Sequence, residues 1–184
     1  MAEELIDRAR ALSGEHLSSL PRRWAHVQSV ARVASEVAPV VDPLHSDAIV
    51  AAAWLHDVGY AKALAKTGFH PVDGALFAKD SGFPALVVSL IAYHTGAQIE
   101  ASQRGTEAEL AAFEPPPADV LDVVTFADMT TSPAGEPITA DDRLAEIFSR
   151  YNEGDPVFEA VSRSGPELLE AVSRVRERLS IDVA

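Results

Sequence analysis

Five segments of the chain carry side chains able to coordinate a metal ion or move a proton: His26, the adjacent pair His56-Asp57, His70, His94 and Asp128. Imidazole nitrogen and carboxylate oxygen suit iron, manganese, zinc or magnesium, and the absence of cysteine removes thiolate ligands and nucleophiles together. One inward histidine is ordinarily a hydrogen-bonded core residue. Four of the chain's six histidines fall in this set, however. A core would have to find partners for four imidazoles and two carboxylates, because unpaired polar groups are costly to bury.

The surrounding patterns are helical. Ile49 to Asp57 is apolar nearly all round, as in the central helix of a helical domain, with Ser46 or Asp47 able to cap it. His56 and Asp57 close this run about 100° apart, and Gly59 is expected to let the chain turn away. Upstream, Glu3 to Leu12 reads as a short helix ending near Gly14, and Ser18-Ser19-Leu20-Pro21 as the capped start of another that Pro39 should stop. Its stripe of Val30, Val33 and Val37 places His26 inward, four residues before Val30. His70 precedes Pro71 at the mouth of a helix that breaks at Gly82, and His94 extends the Val87, Leu90, Ile91 stripe of the next, with Gly96 as its expected cap. Residues 97–117 read as a polar spacer with a short helix from Thr106 to Phe113. In Ala118 to about Thr130, Leu121 and Val124 lead at helical spacing to Asp128. Thr139 should cap a helix to Tyr151, Gly154-Asp155-Pro156 opens a short one, and Gly165-Pro166 opens the last.

No alternating strand pattern or repeat is present, so an all-α fold is predicted, a single domain over residues 1–184. Its core would lie at about 24–128, with helices of 140–184 packed on it. The chain is 47% hydrophobic and 23% charged, as a globular protein is. A formal charge of −13 without a basic run argues against a nucleic-acid polymer as partner. Met-Ala-Glu-Glu-Leu does not resemble a leader, and no apolar stretch approaches the ~20 residues of a membrane span. A cytoplasmic protein is expected, with no membrane partner.

The order His26, His56-Asp57, Asp128 resembles the HD superfamily of metal-dependent phosphohydrolases, named for the adjacent pair. The intervening His70 and His94, in Phe69-His70-Pro71-Val72 and Ile91-Ala92-Tyr93-His94-Thr95-Gly96, are similar to the subset with two metals, including bacterial HD-type diadenosine tetraphosphate hydrolases. The resemblance runs from about Trp24 to Asp128 and implies an HD-type helical bundle. It further implies one divalent ion on His26, His56, Asp57 and Asp128, with Asp57 bridging to a second held by His70 and His94. Manganese or iron is favoured over zinc or magnesium. The implied activity is hydrolysis of a phosphoester or phosphoanhydride of a small, nucleotide-like phosphorylated metabolite by metal-activated water. The same ligands also resemble HD-type di-iron oxygenases, and a non-catalytic ligand-binding HD domain is a third reading. Lys62, soon after the doublet, and Arg23, three residues before His26, are candidates for contacting substrate phosphate. The superfamily commonly has lysine where this chain has Tyr60. His16 and His45 are expected in surface loops, Trp24 and Trp54 in the core, and the hydroxyls of Thr130-Thr131-Ser132 in turn and capping roles.

Overall fold

The computed structural model describes residues 2–181; Met1 and residues 182–184, at the ends of the expected domain, lie outside the described residues. The fold is all-α. In chain order the helices are α1 (Ala2–Leu17), α2 (Pro21–Val41), α3 (Ser46–Leu55), α4 (His70–Asp80), α5 (Ala85–Tyr93), α6 (Ala97–Arg104), α7 (Glu107–Leu110), α8 (Ala118–Met129), α9 (Ala140–Arg150) and α10 (Pro156–Ile181). Two 3-10 turns, Val58–Tyr60 and His94–Gly96, interrupt the chain where the chemistry lies. Among the described residues the only β pairing is an isolated bridge between Thr131 and Pro137.

Helix α3 is the axis of the bundle. It buries Ile49, Val50, Ala51, Ala52, Ala53 and Leu55 and is packed by α1, α2, α5 and α8. Alanine on several faces lets the neighbouring helices approach closely, and the apolar surface removed from water there stabilises the bundle. Helix α10 lies along α6, α8 and α9, where Leu168 and Val172 meet Met129 and Ala140 in a smaller apolar cluster.

Several boundaries differ from the sequence expectations for identifiable reasons. Helix α1 continues through Gly14 to Leu17, and α2 continues through Pro39 to Val41. A proline in the last turn removes only one helical hydrogen bond, less than the packing of Val37 and Ala38 offsets. Neither Ser18 nor Ser19 caps α2: Leu20 is its N-cap, with Pro21 in the first turn. His45, rather than Ser46 or Asp47, is the N-cap of α3. Helix α6, expected as part of a spacer, buries only Ala97 and Ala101, which present no large apolar stripe to read. Helix α10 runs unbroken through Gly165-Pro166, where Pro166 and Ser162 are exposed and the carbonyl deprived of its donor can face water. Thr139 does cap α9, accepting from the Asp142 amide at 3.1 Å.

Candidate metal centre

The six ligand candidates, from five segments, meet at one point. His26 lies on α2 and Asp128 on the last turn of α8, both buried. Helix α3 stops at Leu55, so His56 and Asp57 occupy its exit rather than its body, and Asp57 takes the bridge-region angles φ −101°, ψ 6° that open the first 3-10 turn. His70 is the first residue of α4. His94 leaves α5 with extended angles, followed by Thr95 at φ 43° and Gly96 at φ 79°. A non-glycine residue in the left-handed region is strained, and strain of this kind concentrates at functional sites. Gly96 opens α6 and does not cap α5.

Three imidazoles are oriented identically. Nδ1 of His26 faces the Ser132 carbonyl at 3.0 Å, that of His56 the Ala53 carbonyl at 2.8 Å, and that of His94 the Ile91 carbonyl at 2.7 Å. A carbonyl only accepts, so each Nδ1 carries a proton, and each Nε2 points into the site, a lone pair when the ring is neutral. The Ser132 carbonyl is held by the loop after α8: it also accepts from the Gly135 amide, while the Ser132 amide donates to Glu136. Gly135, at φ 84°, lies so close to α2 that a Cβ there would come within 2.6 Å of the Ala25 carbonyl oxygen. That contact seats the loop next to His26. As expected, the Thr130 and Thr131 hydroxyls serve this turn by donating to Phe126 and Ala127 carbonyls, and the Ser132 hydroxyl accepts from two loop amides.

The donors sort into two groups, His26, His56 and Asp128 in one and Asp57, His70 and His94 in the other, each with ligand atoms within 4.8 Å of one another. The Asp57 carboxylate faces both. Its Oδ2 is 3.4 Å from His56 Nε2 and 3.8 Å from His26 Nε2, while its Oδ1 is 3.4 Å from His70 Nε2 and 3.9 Å from His94 Nε2. His56 Nε2 and Asp128 Oδ1 are fully buried without a hydrogen-bond partner. With its Nδ1 proton directed to Ser132, a neutral His26 sets an Nε2 lone pair 3.1 Å from Asp128 Oδ1. Acceptors facing each other in a buried site repel unless a cation lies between them, so this donor set fits divalent metal.

Burial and mutual proximity tune the protonation of the cluster. Burial, opposed by Asp57, holds His70 well below 6.5, and burial with the neighbouring His56 lowers His94. Burial also acts to lower His56, but the charge and hydrogen bonding of Asp57, the Asp128 charge and the Ala53 carbonyl together outweigh it and raise that imidazole. Desolvation disfavours the charged forms of Asp57 and Asp128, yet the surrounding imidazoles and arginines hold both carboxyls below their ordinary range. Both carboxylates are therefore ionised and available as ligands at neutral pH.

Arg23 donates to Asp57 Oδ2 and lays its guanidinium 3.9 Å over the Tyr60 ring, which in turn stacks on His70 at 4.0 Å. Tyr60 thus orients both the Arg23 guanidinium and the His70 ring. Lys62 departs from expectation: it is exposed beyond the 3-10 turn and lines neither cavity at the site. The turn that brings Tyr60 over His70 carries Lys62 away. Gly59 also has a different role from the one expected. It has no positive φ, and what requires it is close approach: a Cβ would meet the His70 carbonyl oxygen at 2.1 Å and the Gly74 amide at 2.7 Å.

Sequence reasoning missed several cavity residues. Thr95 donates to Asp128 Oδ2 at 2.6 Å and so fixes the carboxylate whose other oxygen faces His26. Arg143, Arg150 and Tyr151 enter the cavity from α9 and its end, and Glu100 from α6. The signal for the arginines was their spacing with Ile147, which puts Arg143 and Arg150 on one face of α9. His16 and His45 stand outside the cluster, though neither is in a plain loop: His16 ends α1 edge-on to Phe77, and His45 pairs with Asp42. Trp24 and Trp54 are half-buried against one another at 5.9 Å.

The all-helical bundle gathers buried imidazoles and carboxylates around one point, a donor set able to hold a metal ion. The family model of the HD domain matches residues 23–153, which include every ligand candidate, and the chain belongs to the HD domain family. Comparison with curated proteins and with solved structures gives no significant match. Among the described residues, no helix is long and apolar enough to cross a membrane.

Proposed function

We propose that this protein is a metal-dependent phosphohydrolase acting on a small phosphorylated metabolite of nucleotide type. The observation that carries the reading is Asp57: its two carboxylate oxygens face two separate donor groups, as a residue shared between two metal ions must. The HD family includes metal-dependent phosphohydrolases. His26, His56 and Asp128 would hold one ion, His70 and His94 the other, with Asp57 common to both; manganese or iron is the expected metal, with zinc or magnesium able to use the same donors. Such a pair supplies a hydroxide nucleophile at neutral pH and charge for the phosphoryl oxygens.

The chain's own residues do the remainder. Nδ1–H bonds to backbone carbonyls keep His26, His56 and His94 in the ligating tautomer. Thr95 keeps Asp128 in place. Arg23, on α2 with its guanidinium on Tyr60, and Arg143, 3.7 Å from Asp128, present cations to the oxygens of a phosphoryl group. Guanidinium groups stabilise negative charge by paired N–H donation without taking part in proton transfer.

The test is turnover. Metal-reconstituted protein assayed against nucleoside mono-, di-, tri- and cyclic phosphates is expected to release phosphate from at least one, and to lose that activity on chelation and in Asp128→Ala. Absence of turnover across the panel with two metal ions demonstrably bound would overturn the reading.

A further inference from the structure

We infer, taking the site as the phosphohydrolase centre proposed above, that it includes a second, outer anion subsite formed by Arg150 and Arg22 beside Arg23, and that its substrates carry two linked phosphate groups. The cluster opens into an inner cavity of about 110 Å³, well below the several hundred cubic ångströms of a pocket for a whole small-molecule ligand. It admits a phosphoryl group and leaves the rest of the substrate outside. The space outside is a second cavity of about 470 Å³ that shares Arg23, Tyr60, Pro133 and Arg150 with the first and adds Arg22. A chain of net charge −13 therefore concentrates four arginines along one path to its buried histidines.

Arg143 and Arg150 are held in place, and Arg22 stands exposed at the rim. Arg143 is only 7% exposed and its Nε has no hydrogen-bond partner, although it lines the inner cavity. Glu146 holds Arg143 at 2.7 Å and Arg150 at 2.7 Å, so one carboxylate fixes two guanidinium groups a helical row apart, one deep and one at the rim. Arg23, Arg143 and Arg150 in the inner cavity face Asp57, Glu100 and Asp128, and Glu146 brings the balance to three positive against four negative, so even one divalent ion bound leaves positive charge for an anion. The inner phosphoryl group would face Arg23 and Arg143; the next phosphate along the substrate reaches Arg150 and Arg22. On hydrolysis the inner phosphorus gains the oxygen of one water as its bond to the bridging oxygen breaks, the electron pair leaves with the outer phosphate, and the protons of the water pass to the two phosphate products.

Isothermal titration of the metal-loaded full chain with imidodiphosphate, which is not readily hydrolysed, and with inorganic phosphate tests the subsite separately from catalysis. Imidodiphosphate is expected to bind at least about tenfold more tightly than phosphate. Arg22→Gln, which breaks no ion pair among the described residues, should weaken imidodiphosphate about tenfold and change phosphate less than about twofold, whereas Arg150→Gln, at a residue that also lines the inner cavity, should weaken both anions and imidodiphosphate the more. Arg32→Gln, on the far side of α2 and paired with Glu36, should change neither. Equal affinity for the two anions, or equal loss of both in Arg22→Gln, overturns the subsite. Absence of turnover with this binding pattern intact would count against the hydrolase reading and leave the subsite standing; turnover of monophosphates as efficient as that of diphosphates would do the reverse.

Discussion

Replacing Gly59 by alanine adds one methyl group three residues from the doublet histidine, and the structure sets what it must do. The new Cβ would lie 2.1 Å from the His70 carbonyl oxygen, so the start of α4 has to retreat by about 1.3 Å to reach the 3.4 Å at which ordinary contact begins. Neither side of the contact yields cheaply, because both are backbone: the Gly74 amide at 2.7 Å blocks movement along α4 as well. Overpacking of this kind costs ~1–3 kcal/mol. His70 rides on the displaced segment. Its Nε2 is 3.4 Å from Asp57 Oδ1 and 3.2 Å from His94 Nε2, and a shift above an ångström takes it out of reach of any ion these share. The donor group of His26, His56 and Asp128 lies on α2, the exit of α3 and α8 and is untouched. Gly59→Ala is therefore expected to bind about one metal ion fewer per chain than the parent, and to lose on the order of 10²-fold in kcat, the usual consequence of a 1 Å misplacement. Metal analysis after gel filtration, with circular dichroism to show that the helices persist, reads this out. A folded Gly59→Ala protein with unchanged metal content and activity within twofold of the parent would refute the close-approach argument.

Arg23→Ala should lower kcat/KM at least about tenfold by removing a cation that touches Asp57 and Tyr60, whereas Lys62→Ala should stay within about twofold; comparable losses in steady-state assays would restore Lys62 to the site. In chelated protein, thermal stability should decline as pH falls below 6.5, because His70 and His94 are held below that value by burial when folded and bind protons more readily when unfolded. His56, raised by Asp57, works in the opposite sense and offsets part of the decline, so His56→Gln should steepen it and His70→Gln flatten it; a melting temperature that rises on acidification contradicts this balance. Asp73→Ala removes the acceptor of the Thr67 amide and hydroxyl and the Gly68 amide in the loop before His70, and should cost ~2–4 kcal/mol by denaturant unfolding. A loss below about 0.5 kcal/mol would show that water replaces those bonds without penalty.

The ligand candidates could be located from sequence because each had a strong local signature: His26 in phase with Val30, His70 before proline, Asp128 on an apolar stripe, and the doublet at the end of a wholly apolar run. What escaped was tertiary. Gly59 is needed for contact with α4, which no local pattern contains. Arg143 is buried and Arg150 stands at the rim because of how α9 packs in the fold, which the pattern of α9 alone does not contain. Helix α6 presents only alanines to the core, and α10 passes a Gly-Pro pair because that pair faces solvent on its proline side.

A two-metal site with Asp57 shared sets the metal stoichiometry of the chain. Protein purified without chelator and saturated with manganese or iron is expected to carry two ions per chain, and Asp57→Asn to retain fewer than one while remaining folded. A parent protein that binds at most one ion per chain at saturating metal, or an Asp57→Asn variant that keeps the parent's full complement, would contradict it.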